Sequence, residues 1–290
     1  MISPGVCQLG PVELHYLQAG VGDLVVCLHG FPDHAPSLRP LLEALAQAGH
    51  RAVAPFMRGY APSSTEAVSY ESAALAGDAL GLANALGAGE DFALVGHDWG
   101  AVAALHAAVL QPERTRALVT LGMPHARTFA RALRENPEQL RRSWYEFVFL
   151  AEGFAERLVA ENRFAFLDRL VAEWSPSSPF LPEEWIAIKR TLSAHGVLPA
   201  ALAYYRVALG QLPRDPALAD SAARWAENVK VRTLAIYGEL DGCIGREVHE
   251  SQADCFDGPF QTQAVTGAGH WPHLEAPDEV LPSIMGFLRR

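Results

Sequence analysis

Short apolar segments without polar alternation recur along the chain, separated by longer helical patterns. The apolar segments cover residues 24–28, 52–55, 92–95, 117–121 and 233–237. Strands of this kind are covered on both faces, as they are in a parallel sheet. Helical patterns cover residues 37–48, 72–86, 101–110 and 277–288. This alternation predicts an α/β fold with a mostly parallel central sheet flanked by helices, completed by a half-exposed strand at 12–17 and a last strand at 261–265.

The alternation of strands and helices stops after the apolar segment at 117–121. From about residue 127 to residue 220 no buried strand is evident, helical patterns dominate, and aromatic residues are concentrated. We interpret most of these aromatic residues as the core of a helical subdomain. The predicted organisation is a first part of the core at 1–125, an inserted helical cap at 126–220, and a second part of the core at 221–290.

Composition and charge narrow the range of partners. Half of the 290 residues are hydrophobic and the formal net charge is −10, which predicts a substantial core and makes nucleic acid or an anionic membrane an improbable partner. The N-terminus has no secretory signal pattern, and no segment is apolar over the length of a membrane span. The four cysteines form no C-x-x-C pair, and Cys27 is expected to be a buried free thiol. We therefore expect a cytoplasmic protein.

One strand-to-helix junction carries a candidate nucleophile. Gly96 and Gly100 frame Asp98 as the glycines of a G-x-S-x-G elbow frame its serine. Such glycines let the backbone turn sharply and lift the central side chain into a cleft. A carboxylate there cannot form a serine-type acyl enzyme, but it can attack an sp³ carbon and form an alkyl ester. The alternative is that Asp98 only caps the following helix, a place where Asp is favoured.

Three further candidate residues follow other predicted strands. Phe31 comes after the first buried strand, Asp241 follows the strand near the end of the chain, and His270 follows the last strand. Because the carboxyl ends of parallel strands share one edge of a sheet, we expect Asp98, Asp241 and His270 to converge. Their order in the chain, nucleophile, acid and histidine, is the order of the elbow hydrolases. The alternative for Asp241 is that it only stabilises its own turn.

Together these motifs resemble those of the α/β-hydrolases and, within that superfamily, the epoxide hydrolases. The resemblance covers nearly the whole chain and rests on HGFP at 29–32, GHDWGA at 96–101, GELD at 238–241 and GAGHW at 267–271. The pair Tyr205 and Arg206 resembles the family's cap tyrosine motif, and Tyr145 falls where the family has its other cap tyrosine. Glu146 follows Tyr145 directly. A carboxyl group there would make the pocket more polar or tune the neighbouring phenol.

The resemblance implies a two-step conversion of an epoxide into a vicinal diol. Asp98 would attack an epoxide carbon while Tyr205 and Tyr145 hold the oxirane oxygen and donate a proton to the forming alkoxide. His270, oriented by Asp241, would then deprotonate a water that hydrolyses the resulting ester. This chemistry needs water but no metal or organic cofactor.

The resemblance also implies roles for other residues, as oxyanion donors and as substrate contacts. The backbone N–H groups of Phe31 and Trp99 would stabilise the oxyanion, and the side chains of Trp99, Phe31 and Tyr204 would contact the substrate. Tyr204 competes with Tyr205 for the role of the acid, since neighbours on a helix point about 100° apart. The aromatic-rich cap indicates a largely apolar epoxide. A homodimer is compatible with the sequence.

Two other functions remain open at this point. A haloalkane or haloacid dehalogenase would use the same Asp, His and Asp, with a halide that needs N–H donors instead of a proton, and the indole of Trp99 could supply one. Phe31 stands where many haloalkane dehalogenases have a polar halide contact, and the two tyrosines favour oxygen as the leaving atom. The second alternative is a non-catalytic ligand receptor on a hydrolase scaffold, because fold alone does not determine function.

Overall fold

A central sheet of eight strands runs through the part of the chain that the computed structural model describes, residues 1–89 and 91–289. The strands are β1 (Ser3–Leu9), β2 (Val12–Ala19), β3 (Asp23–Leu28), β4 (His50–Pro55), β5 (Phe92–His97), β6 (Thr115–Leu121), β7 (Thr233–Gly238) and β8 (Phe260–Val265). Their order across the sheet is β1-β2-β4-β3-β5-β6-β7-β8. The pairs from β4 to β8 are parallel, whereas β2 is antiparallel to both of its neighbours. The predicted mostly parallel α/β-hydrolase sheet is confirmed.

Helices connect the parallel strands and fill the long segment between β6 and β7. The α-helices are α1 (Arg39–Gln47), α2 (Ser72–Ala85), α3 (Trp99–Leu110), α4 (Ala126–Glu135), α5 (Pro137–Arg142), α6 (Trp144–Phe149), α7 (Phe154–Trp174), α8 (Pro182–Leu192), α9 (Val197–Ala208), α10 (Ala219–Ala223), α11 (Arg246–Glu250), α12 (Pro272–Glu275) and α13 (Pro277–Leu288). Short 3-10 turns cover Ala35–Leu38, Pro216–Leu218, Arg224–Ala226 and Ala253–Cys255. Helices α4 to α9 thus lie in the segment where a helical cap is expected, and α10 crosses its predicted end at residue 220. The division at residues 125 and 220 stays a prediction.

Both faces of the sheet are covered, as the uninterrupted apolar strands predict. On β5, Leu94 belongs to the apolar cluster that includes residues of α2 and α3. Its neighbours Ala93 and Val95 belong to a second cluster, which includes residues of α1 and α13. Because adjacent residues of a strand point to opposite faces, one continuous apolar strand contributes to two cores.

The segment between β6 and β7 packs over one of these cores and reaches the loops that follow the strands. Its aromatic residues Tyr145, Phe149 and Trp174 share the apolar cluster that contains Leu94. Trp174, the last residue of α7, lies against His270 with ring centroids 5.4 Å apart. Within α7 the backbone leaves the α-helical region from Glu161 to Phe164. The helices therefore close over the edge of the sheet where the candidate residues lie.

The strand β1 was not predicted from the sequence. It pairs antiparallel with β2 from Ser3 opposite Gln18 to Leu9 opposite Val12. Within it only Cys7 is buried, so the segment shows no alternation of apolar and polar residues. An edge strand that packs so little of its surface leaves almost no hydrophobic signal.

Two expectations about the whole chain can be compared with the structure. Cys27 is fully buried in β3 and forms no disulfide, as predicted, and the remaining cysteines of the chain are also buried free thiols. Within residues 1–89 and 91–289, none of the helices is long and apolar enough to cross a membrane.

Candidate active site

Asp98 lies at a strained turn between β5 and α3. Its backbone angles, φ 51° and ψ −119°, are rare for a residue other than glycine. The turn requires close backbone contacts, because a Cβ atom on Gly100 would collide with the backbone of Leu28 and His29, and one on Gly96 with that of Gly100. The Asp98 side chain forms no capping hydrogen bond to α3. The geometry therefore presents the carboxylate outward and does not favour a simple helix cap.

Replacement of Gly100 by Ala is expected to destabilise the protein. The new methyl group would meet rigid backbone atoms, so we expect the free energy of unfolding to fall by about 2 to 4 kcal/mol. Gly77→Ala is a matched control, since Gly77 is an exposed residue of α2 and a Cβ atom added to it would meet no atom within 4 Å. This variant should be neutral or slightly stabilised, by up to about 1 kcal/mol. Thermal unfolding of both variants tests the close approach at the elbow, and equal Tm values would contradict it.

The structure brings Asp98, Asp241 and His270 together at the carboxyl edge of the sheet. The Nδ1 atom of His270 lies 2.9 Å from Oδ2 of Asp241, and its Nε2 atom lies 3.6 Å from Oδ2 of Asp98. The other oxygen of Asp241 accepts hydrogen bonds from the N–H groups of Cys243 and Ile244, at 2.7 and 3.0 Å. Asp241 is thus fixed from one side and holds the imidazole so that Nε2 faces Asp98.

The electrostatic environment of His270 favours its charged form. Burial alone would lower its pKa, but the carboxylates of Asp241 and Asp98 outweigh burial and raise this pKa to about 10. The backbone of His270 is also held in place, because its N–H donates to Oγ of Ser175 and its carbonyl oxygen lies 2.9 Å from Nε2 of His97. At neutral pH the free protein therefore holds an imidazolium between two carboxylates.

One of the two predicted oxyanion donors contacts the candidate nucleophile. The backbone N–H of Phe31 donates a 2.7 Å hydrogen bond to Oδ1 of Asp98. Trp99 is the first residue of α3, and its N–H has no hydrogen bond to Asp98 in the structure as described. Because Phe31 follows β3 and Asp98 follows the adjacent strand β5, strand pairing alone places the first donor beside the carboxylate.

Tyr205 and Tyr145, from helices α9 and α6, face the same cavity as Asp98. Their ring centroids are 5.9 Å apart and their planes are nearly perpendicular. The hydroxyl of Tyr205 is buried and has no hydrogen bond of normal length among the described residues, although the Trp99 side chain is near enough to offset part of the effect of burial on its pKa; that of Tyr145 contacts Sγ of Cys243 at 3.4 Å. Burial raises the pKa of both phenols well above the usual value. Both groups therefore remain protonated and able to donate a hydrogen bond.

The predicted substrate contacts differ in how they meet the cavity. Trp99 and Tyr204 line it. The hydroxyl of Tyr204 donates a hydrogen bond to the carbonyl oxygen of Arg58 at 2.6 Å. Tyr204 therefore contributes its ring to the cavity wall, whereas Tyr205 contributes its hydroxyl. The Phe31 side chain is fully buried and meets the ring of Tyr205 edge-on, with centroids 5.6 Å apart, instead of lining the cavity. Its contact with substrate stays a prediction, and in the structure its ring supports that of Tyr205.

The cavity above Asp98 has a volume of about 200 Å³ and a mainly apolar wall. Its apolar lining includes Val102, Met123, Phe129, Leu133 and Ile244. Asp98, Tyr145, Tyr205 and Glu146 also line it, together with the polar residues Glu71, Ser72 and Arg214. A wall of this kind fits a small apolar molecule that carries one polar reacting group.

A second layer of buried polar groups supports the site. His29 accepts a hydrogen bond from the N–H of Met57 at 3.1 Å, and burial lowers its pKa to about 4, so its neutral ring braces the loop that contains Met57. Burial also lowers the pKa of His273 to about 3, so this imidazole is neutral, unlike that of His270. Sequence reasoning missed Asp33, whose pKa burial raises to about 7 and whose Oδ2 lies 3.9 Å from Nδ1 of His97. The sequence feature that could have identified Asp33 is its position directly after the HGFP motif.

Among the residues that the structure describes, one group of side chains has atoms close enough to hold a metal ion. The ligand atoms of Asp241, Cys243 and His270 all lie within 4.8 Å of one another. However, Asp241 and His270 are already hydrogen-bonded to each other, and burial raises the pKa of the Cys243 thiol well above its usual value. Since the thiolate is the form that binds metals, this group fits a hydrogen-bonded pair better than a metal centre.

The fold and the site define an α/β hydrolase with an aspartate at the elbow. The family model described as alpha/beta hydrolase fold matches residues 23–277. The chain is 30% identical to epoxide hydrolase A of Mycobacterium tuberculosis and 29% identical to an epoxide hydrolase of Caballeronia sordidicola, over 96% of this chain and 94% and 91% of the two relatives. The crystal structure of an epoxide hydrolase of Bacillus megaterium, solved with an inhibitor, superposes with a TM-score of 0.84 at 26% identity, over 99% of this chain and all of the other.

These findings extend over nearly the whole chain and agree with one another. The chain therefore belongs to the α/β-hydrolase superfamily and, within it, to the epoxide hydrolase family.

Proposed function

We propose that the protein is an epoxide hydrolase that converts a largely apolar epoxide and water into a vicinal diol. Membership in the epoxide hydrolase family supports this proposal. The observation that carries it is the arrangement around Asp98: its carboxylate lies on the elbow, 3.6 Å from Nε2 of His270, in a cavity lined by the protonated phenols of Tyr205 and Tyr145. A carboxylate, a base and two acids are the groups that opening an epoxide through an ester requires.

In the first step Asp98 attacks one carbon of the ring and the carbon–oxygen bond of that carbon breaks. The products are an alkyl ester on Asp98 and an alkoxide, which takes a proton from Tyr205 or Tyr145. The free hydroxyl of Tyr205 makes it the main donor. Without such an acid the alkoxide would be a poor leaving group.

Formation of the ester changes the state of His270. The pKa of His270 is high in the free protein because two carboxylates act on it, and the ester removes the charge of one of them, Asp98. The pKa of His270 therefore falls, and its proton restores the tyrosine that protonated the alkoxide. The neutral imidazole left behind is the base that the second step needs.

In the second step neutral His270 takes a proton from water, and the hydroxide attacks the carbonyl carbon of the Asp98 ester. The N–H of Phe31, joined by that of Trp99, stabilises the resulting oxyanion. When the intermediate collapses, the diol leaves with the second proton of the water. His270 is again protonated and Asp98 again ionised, so atoms and charges balance. The oxygen of the water stays on Asp98.

The proposed function also assigns a role to the helices between β6 and β7 and a character to the substrate. Helices within residues 126–220 act as the cap that supplies Tyr145 and Tyr205, and the apolar wall of the cavity supports a largely apolar substrate. The expected location in the cytoplasm and a homodimer stay predictions.

A single-turnover reaction of the wild-type protein in ¹⁸O-labelled water tests the function and its ester intermediate together. With protein in excess over styrene oxide, we expect an unlabelled diol and one ¹⁸O atom in the peptide that contains Asp98, since the oxygen added to the diol comes from the carboxylate. Peptide mass spectrometry and product analysis measure both.

Three results would contradict the proposal in different ways. Label in the diol of the first turnover would mean direct attack of water on the epoxide. Bromide release from a bromoalkane, without diol from styrene oxide, would move the assignment to a dehalogenase. Saturable binding of both compounds without conversion of either would favour a receptor.

A further inference from the structure

Glu146 places a buried carboxyl group in the wall of a mainly apolar cavity. Glu146 lies on α6 directly after Tyr145, and 6% of its surface is exposed to solvent. It lines the cavity together with Asp98 and Tyr205. Carboxyl groups are rarely buried in apolar surroundings, because the charged form loses its hydration. The mechanism proposed above leaves this group without a role.

The surroundings of Glu146 favour the neutral acid. Burial, together with the nearby Asp98 carboxylate, raises the pKa of Glu146 to about 8, although the nearby hydroxyls of Ser143 and Tyr145 act in the opposite direction. A neutral carboxyl group has one O–H donor, which an ionised carboxylate lacks. Within the protein the acceptors near this O–H are the hydroxyls of Ser143 and Tyr145, and an acceptor on the ligand gives it a partner inside the cavity.

We propose that Glu146 is a specificity-determining residue that donates a hydrogen bond to an oxygen atom borne by the carbon next to the epoxide ring. The preferred substrate is therefore an epoxide with an apolar body and an ether or hydroxyl oxygen at that position. The inference rests on the proposed hydrolysis of epoxides and names the class of epoxide.

The position of Glu146 decides which part of the substrate it meets. It lines the same cavity as Asp98, and its carboxyl group is near enough to interact electrostatically with Asp98 and with the hydroxyl of Tyr205. Its neighbour Tyr145 is one of the two phenols proposed to hold the epoxide oxygen. An acceptor near the ring therefore lies within its range, and the apolar body of the substrate packs against apolar side chains of the same cavity such as Phe129 and Leu133.

Two epoxides that differ in a single atom test the inference. Butyl glycidyl ether and 1,2-epoxyoctane have the same chain length, and an ether oxygen in the first replaces a methylene group in the second. We define the selectivity as kcat/KM for the ether divided by kcat/KM for the alkane epoxide. It is measured for wild-type protein, for Glu146→Gln, which keeps a donor, and for Glu146→Leu, which removes it.

The expected result is a change in selectivity and not merely in rate. Glu146→Leu should lower the selectivity about three- to tenfold, the range expected for one net hydrogen bond, whereas Glu146→Gln should keep it within about twofold. The ratio cancels any general loss of activity, because both substrates share the reaction at Asp98. Thermal unfolding confirms that each variant is folded.

The pH dependence of the selectivity gives a second readout, which uses only wild type and Glu146→Gln. The groups that face Glu146 are Asp98 on the elbow, Tyr205 on α9, Tyr145 on its own helix and Cys243 after β7, and their titration affects both substrates alike. As pH rises through about 8, Glu146 loses its O–H and the selectivity of the wild type should fall. The selectivity of Glu146→Gln should stay constant.

Each outcome bears on one of the two proposals. Equal selectivity in all three proteins, or a wild-type selectivity that does not change with pH, would overturn the role of Glu146 while hydrolysis itself stands. If the wild type hydrolyses neither epoxide, the proposed function fails, and the inference fails with it.

Discussion

Replacement of His270 by Phe is expected to stop the reaction at the Asp98 ester and to lower kcat by at least about 10⁴-fold. Phe retains the planar shape that fills the space between Trp174 and Trp271, whose ring centroids lie 5.4 and 5.0 Å from that of His270. Attack by Asp98 does not need the imidazole as a base, so the ester still forms. Its hydrolysis does need the base, so the ester accumulates.

Intact mass measurement after incubation of His270→Phe with styrene oxide checks this prediction. The expected gain equals the mass of the whole epoxide, because ring opening expels no atom. Asp98→Asn is the control, and it should show no adduct since the nucleophile is absent. An adduct that persists in Asp98→Asn would place the nucleophile elsewhere. A gain of only an alkyl group from a bromoalkane, with bromide released, would instead indicate dehalogenase chemistry.

Much of the fold could be predicted because its strands carry a strong signal. Strands buried on both faces, such as β5 with Leu94 toward one core and Val95 toward the other, must be apolar throughout. The edge strand β1 has no such requirement, since within it only Cys7 is buried. It forms through backbone pairing with β2, and backbone hydrogen bonds leave no mark on side-chain identity.

The candidate site likewise has a part that could be predicted from the sequence and a part that could not. Asp98, Asp241 and His270 could be predicted to converge because sheet topology alone brings the ends of their strands to one edge. The orientation of cap side chains depends on how helices pack over that edge, which local sequence does not determine. This is why the hydroxyl of Tyr204 turned out to bind Arg58, and why the burial of Glu146 beside Asp98 became evident only in the structure.

Tyr205→Phe is expected to lower kcat/KM for styrene oxide about 10²- to 10³-fold, and Tyr145→Phe is expected to have a smaller effect. The difference follows from their surroundings, because the hydroxyl of Tyr205 has no partner among the described residues whereas that of Tyr145 contacts Cys243 at 3.4 Å. In the double variant no phenol protonates the alkoxide, and the loss should reach about 10⁴-fold. Pre-steady-state kinetics should assign these losses to formation of the ester and not to its hydrolysis.

Tyr204→Phe is the matched control for these variants, since Tyr204 is the helix neighbour of Tyr205 and donates its hydroxyl to the carbonyl oxygen of Arg58. We expect kcat/KM to change by less than about threefold, because the ring that lines the cavity is retained. A loss as large as that of Tyr205→Phe would contradict the assignment of the acid to Tyr205. If the double variant still forms the ester at the wild-type rate, the epoxide oxygen receives its proton from another group. The buried, neutral carboxyl group of Glu146 would then be the next candidate, because it lines the same cavity and interacts electrostatically with Asp98.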